Sequence, residues 1–218
     1  MLRLLSLALV LMAVASCATM VTHETAVNSL SGARTCCGSV AQFGYGQLGE
    51  SEGVSFKLDE ASDAFSFPSG KSYFKAFRLP QKAPPYRIKI TSFALGEHID
   101  KAHIFYPQVA LLDERFAIIR QSAPGDFSLM KVAPGETWGL PVKIEGYAVV
   151  DDPRARYFLV FTTRELMSDT SPYETLRVKP IILPGVVTAI PTHKEKIFIP
   201  HSPFGLLQLK ITGATGPD

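Results

Sequence analysis

The sequence predicts an all-β fold: an antiparallel β-sandwich, jelly-roll-like, of about eight to nine strands with few or no helices beyond the leader. Three observations predict it. Short runs alternate apolar and polar residues with period two, the mark of strands with one wet face. Gly and Pro number 16 each in 218 residues and cluster with Asp and Ser between those runs, which suits tight turns and disfavours long helices. No helical period recurs between the strands, so alternating βαβ units are excluded.

The chain opens on a segment outside that fold. Met1-Leu2-Arg3 carries one positive charge, and Leu4 to Val14 is an apolar run of 11 residues. A membrane span needs about 20, so residues 1–16 read as a secretory signal peptide. Val14-Ala15-Ser16-Cys17 resembles the bacterial lipobox: small side chains fit the peptidase groove, and the Cys17 thiol takes the diacylglycerol. Two or more acyl chains hold firmly where one binds only marginally. Ala18 follows Cys17, which by resemblance to lipoprotein sorting in enteric bacteria implies a periplasmic protein anchored to the outer membrane. Residues 17–35 are expected to be the lipidated cysteine and a tether of coil length roughly 20–25 Å, with a weak signal for a short helix at 23–31. Residues 36–218 are expected to form one sandwich domain.

Cys36 and Cys37 are adjacent. An exported chain meets oxidising conditions, but neighbouring Cα atoms lie closer than a relaxed disulfide prefers. Three readings stay open: a vicinal disulfide, free or partner-bridged thiols, or metal and redox chemistry, the last lacking further ligands and a Cys-x-x-Cys spacing.

The strands follow. VSFKL (54–58) alternates. YFKAFRL (73–79) is aromatic-rich and stops at Pro80. YRIKITSF (86–93) sets Tyr86, Ile88 and Ile90 on one face and Arg87, Lys89 and Thr91 on the other. IFYPQVALLD (104–113), with Val109 and Leu111 inward, should pair with FAIIR (116–120) across a tight Asp113-Glu114-Arg115 turn. VKIEGYAVV (142–150) and YFLVFTT (157–163) flank DDPRAR. RELMSD (164–169) has the look of one helical turn, and GLLQLKI (205–211) closes the domain. Residues 171–204 hold six prolines and read as an extended excursion with a short strand at 196–199, because proline disfavours central strands.

The blocks YRIKITSF, FYPQVALLDERF, RYFLVFTTREL and HSPFGLLQLKI together resemble the maltose operon periplasmic protein family, the MalM type. They cover residues 70–165 and 200–211. The resemblance implies a periplasmic or outer-membrane-associated protein tied to maltodextrin uptake, with no catalytic residues to carry over. The lipobox departs from the soluble member.

Chemistry-bearing patterns are sparse. FGYGQLG (43–49) lacks the lysine and helix of a phosphate loop, and no Gly-x-Ser-x-Gly elbow occurs. His98 and His103 read as exposed loop residues. Asp151-Asp152 and Asp113-Glu114 read as turn chemistry; calcium at Asp151 and Asp152 would need several more oxygens. Net charge is +2 with 19% charged residues, which argues against a nucleic-acid partner. Sugar binding is the sharper expectation, on an exposed ring: Trp138 and Tyr106 first, then Tyr45 and Tyr173. Phe74, Phe77, Phe158 and Phe161 are expected in the core. The expected function is a non-catalytic envelope lipoprotein, accessory to carbohydrate (maltodextrin-type) transport or binding. Its partners would be the membrane, through the lipid, and an oligosaccharide; no cofactor or metal is expected. The alternative is an interaction module docking on another envelope protein.

Overall fold

The computed structural model describes residues 21–50, 53–123, 125–133, 139–183 and 186–213. Cys17 and Trp138 lie outside the described residues. Ten of the 14 described strands form two five-stranded sheets. The first sheet orders Tyr45–Gln47 (β1), Lys75–Arg78 (β5), Tyr157–Phe161 (β11), Gln108–Leu112 (β7) and Ile118–Gln121 (β8) as β1-β5-β11-β7-β8. The second orders Val54–Leu58 (β2), Gly205–Thr212 (β14), Tyr86–Phe93 (β6), Val142–Val150 (β10) and Phe127–Lys131 (β9) as β2-β14-β6-β10-β9. Every pair is antiparallel except β1 with β5.

Period two decides what meets in the middle. Ile88 and Ile90 of β6, Ile144 of β10 and Leu207 and Leu209 of β14 pack against Phe77, Val109, Leu111, Phe158 and Val160 of the first sheet. Each such fully buried side chain contributes about 1.5–3 kcal/mol. Val109 and Leu111 point inward as their alternation predicts. Their neighbours Ala110 and Leu112 are buried as well, in a second cluster with Ala76, Leu159 and Phe161 on the outer face of the same sheet. An aromatic cap covers that face. Phe43 meets Phe74 at 4.0 Å, and Phe67, on the hairpin Ala64–Phe67 (β3) and Gly70–Tyr73 (β4), stacks on Phe161 at 4.3 Å. A sheet buried on both faces shows near-continuous apolar runs, which is why QVALL and YFLVF alternate so poorly.

Two segments differ from the sequence reading. Residues 23–35 do not hang as a tether: the short helix signalled at 23–31 forms as His23–Gly32 (α1) and docks on the domain through Ala26 and Leu30. Thr22 caps its start, accepting from the Thr25 amide at 3.2 Å. Lys71 on β4 donates to the Ser31 and Ala33 carbonyls at its end, where the helix dipole favours a cation. The proline-rich excursion is a long antiparallel ribbon, Thr170–Leu183 (β12) with Val186–Pro200 (β13), registered from Thr170↔Pro200 to Leu183↔Val186. It joins neither large sheet, so its strands have open outer edges. Proline removes a donor, and only an edge tolerates that; a two-stranded ribbon is all edge. The added short strands and this ribbon raise the strand number above the expected eight or nine. Arg164–Met167 (α2) is the one helical turn that RELMSD foretells, capped by Thr163.

Candidate functional site

A cleft of about 690 Å³ opens at one end of the sandwich. Three connections build it: residues 79–85 after β5, turning at a cis Pro84–Pro85 bond; the β7–β8 turn; and residues 151–156 between β10 and β11. Arg78, Lys82, Glu114, Asp152, Arg156 and Tyr157 line it.

Two of the three connections are shaped by an aspartate. Asp113 Oδ1 accepts from the amides of Arg115 at 2.8 Å and Ala117 at 2.9 Å, which mimics a backbone turn. Within it Phe116 takes a positive φ of 63°, a costly setting for a side chain with a Cβ. Its ring stacks on Tyr157 at 4.7 Å, and Tyr45 joins both rings, 4.5 Å from Tyr157 and 5.6 Å from Phe116. Asp152 accepts from the Arg154 amide at 2.8 Å and pairs with the Arg154 guanidinium at 2.7 Å. Those bonds hold its carboxyl down to about 2. Asp151 pairs with Arg120 at 2.9 Å. Asp152 therefore serves its turn, as its setting before Pro153 predicts, and Asp151 holds an ion pair.

The cleft's donors are cationic side chains, two of them over rings. Arg78 lies over the Tyr157 ring at 5.8 Å, and Lys82 over Tyr86 at 5.9 Å. Arg156 folds onto the Pro153 and Ala155 carbonyls at 2.7 and 2.9 Å. Burial first, then Glu50, pushes the Tyr86 phenol up to about 12; burial first, then Tyr157, does the same for Tyr45. Both phenols stay neutral. Rings flanked by forked donors, with a carboxylate opposite, are groups that hold hydroxyl-rich ligands by stacking and hydrogen bonding.

The rings singled out by sequence lie elsewhere or are engaged. Tyr106 is half-buried, donates to the Phe127 carbonyl at 2.9 Å and rests on His201 at 4.8 Å; it lies outside the cleft. Tyr173 is buried at the ribbon base. Tyr45 reaches the site by supporting Tyr157. Phe74, Phe77, Phe158 and Phe161 are core residues. Cys36 and Cys37 form a vicinal disulfide with Cα atoms 3.8 Å apart. His98 is exposed beside Glu97. His103, expected in an exposed loop, is fully buried, because the segment before α1 folds over it. Arg78 and Tyr157 carry no signal in the sequence, where each looks like an ordinary strand residue; only the chain-distant pairing Tyr157↔Arg78 joins them.

Among the described residues no group of three or more His, Cys, Asp or Glu could hold a metal ion. No helix there is long and apolar enough to cross a membrane. No curated protein and no solved structure matches the chain significantly. One family model does: that of the maltose operon periplasmic protein precursor, MalM, over residues 69–211.

Proposed function

The chain belongs to the maltose operon periplasmic protein family, a family of periplasmic proteins, and from that premise we propose that it is a non-catalytic envelope lipoprotein that binds maltodextrin-type oligosaccharides as an accessory to their uptake. The observation that carries this reading is the cleft in which Arg78 sits over Tyr157. The half-buried Tyr157 ring leaves apolar surface for a sugar's C–H face, and Arg78, Arg156 and Glu114 have the donors and acceptors to meet its hydroxyls. Asp152 is a poor proton donor, held ionised by Arg154, which favours holding over hydrolysis.

Titration calorimetry of the full chain in detergent with maltotriose to maltoheptaose tests the binding. Saturable binding is expected, and Arg78→Ala should weaken it at least about tenfold. No heat at millimolar sugar would overturn the reading. The anchor belongs to the same proposal: Cys17→Ser should move the protein from the membrane to the soluble fraction, and membrane retention of that variant would count against lipidation.

The β12–β13 ribbon favours a second reading, an interaction module on another envelope protein. Its edges are open and its Leu176, Ile190 and Phe198 are about half-exposed or more. Open edges invite strand addition. Cross-linking that returns one recurrent partner through the ribbon would support it.

A further inference from the structure

The outer face of the second sheet carries a charge pattern that neutral sugars do not need. Register lays its outward residues in cross-strand rows. Lys57, Leu206, Phe93 and Lys143 form one; Ser55, Gln208, Thr91 and Glu145 the next; Lys210, Lys89 and Tyr147 the third; Thr212, Arg87 and Val149 the fourth. Among the described residues these rows hold five cations, Lys57, Arg87, Lys89, Lys143 and Lys210, against the single carboxylate of Glu145. That excess is larger than the net +2 of the whole chain, so the charge is concentrated here.

The cations are arranged, not scattered. Lys89 and Lys143 both reach Glu145, at 3.2 and 3.1 Å. Lys143 is 7% exposed, a depth at which charge is strongly felt. A hollow of about 210 Å³ lies between Lys89, Thr91, Lys143, Glu145, Gln208 and Lys210. Beside it Arg87 rests over the Tyr147 ring at 5.9 Å. Lys57 and Lys210 are exposed at the rim.

We propose that this face binds an acidic saccharide, one bearing carboxylate, sulfate or phosphate groups. The acidic group enters the hollow, where the ammonium groups of Lys89, Lys143 and Lys210 surround it with charge-assisted hydrogen bonds. Thr91 and Gln208 serve neighbouring hydroxyls, Tyr147 offers a ring to stack on, and Lys57 and Arg87 meet further acidic groups along the chain. A phosphate-bearing membrane surface fits less well. The positive groups converge on a concavity, and Met130, which extends the first row onto β9 opposite Lys143, is the one exposed large apolar residue of this face among the described residues, whereas a surface that inserts among lipids presents an apolar wedge.

The test titrates the full chain in detergent with an oligogalacturonate and with a heparin hexasaccharide, maltohexaose serving as the neutral control. At least one acidic probe should bind, its affinity falling steeply between 50 mM and 300 mM salt, as screening demands. The double substitution Lys57→Glu, Lys210→Glu, at exposed positions that leave the core intact, should weaken it at least about tenfold. Arg78→Ala in the cleft should not change it. Binding of neither probe would overturn the proposal. So would binding unmoved by the double substitution, or by salt, or displaced in full by anionic phosphatidylglycerol vesicles at matched charge.

Discussion

Gly146, in the middle of β10, is a position where the backbone alone fits. A Cβ there would collide with the Asp126 carbonyl oxygen and the Phe127 ring. The residue pairs with Phe127 across β9 and with Ile90 across β6, so neither neighbour can withdraw without opening the sheet. Gly146→Ala should therefore lower stability by about 1–3 kcal/mol, the usual cost of overpacking, read as a lower urea midpoint with an unchanged slope. At this scale the sequence is legible where chemistry is local. Asp113 and Asp152 announce turns because a short carboxylate reaches the amides two residues on, and both do so. Gly146 announces nothing, since its need arises from a ring 19 positions earlier in the chain. His103 is misread for the same reason: what buries it is the distant segment at Val21.

Helix α1 is latched by histidines from three places. His23 Nε2 donates to the His201 carbonyl at 2.9 Å, and His103 Nε2 to the Val21 carbonyl at 2.9 Å. His201 donates from Nδ1 to the Leu166 carbonyl at 2.7 Å and accepts from the Ser171 hydroxyl at 2.8 Å. His103 Nδ1 is buried with no partner. Burial, first among the causes, lowers the pKa of both His103 and His201; His23 opposes charging of each, while Asp169 favours it at His201. With α1 docked, His103 thus binds a proton less readily than when exposed, where it titrates near the ordinary 6.5. Docking is strongest above that value and weakens as pH falls below it. Hydrogen exchange of the α1 amides should accelerate at pH 5 relative to pH 7.5, beyond the intrinsic pH effect, while β6 and β10 stay protected. His103→Gln keeps a donor for Val21 and cannot titrate, so it should flatten that dependence; an unchanged profile would assign the release elsewhere. Elements were legible in proportion to their periodicity: β6 reads directly from YRIKITSF, whereas α1 has only Ala26 and Leu30 buried, too narrow a stripe to stand out. The ribbon was hidden by its prolines, which are breakers in a sheet interior and harmless on an open edge.

The whole molecule divides by what its surfaces still need. The first sheet is satisfied on both faces, by the second sheet and by the aromatic cap. The second sheet is apolar inward and basic outward, so one layer is structural and the other is available. The ribbon stands apart from both. Beyond its base, where Tyr173 and Ile199 join the core, its strands pair with each other and with no strand of either large sheet among the described residues. The distal ribbon should therefore be dispensable for folding. Thr175 and Glu195 are cross-strand partners, so replacing residues 176–194 with Asn-Gly would close the shortened ribbon with a two-residue hairpin turn that suits its twist. Such a variant should match the full chain in unfolding free energy within about 0.5 kcal/mol, and should leave the maltodextrin binding proposed for the cleft unchanged, because the cleft lies in other loops. Any recurrent cross-linked partner should be lost with the ribbon. A large drop in midpoint would show instead that the ribbon braces the sandwich, and its open edges and exposed Leu176 and Ile190 would then need a structural explanation in place of a docking one.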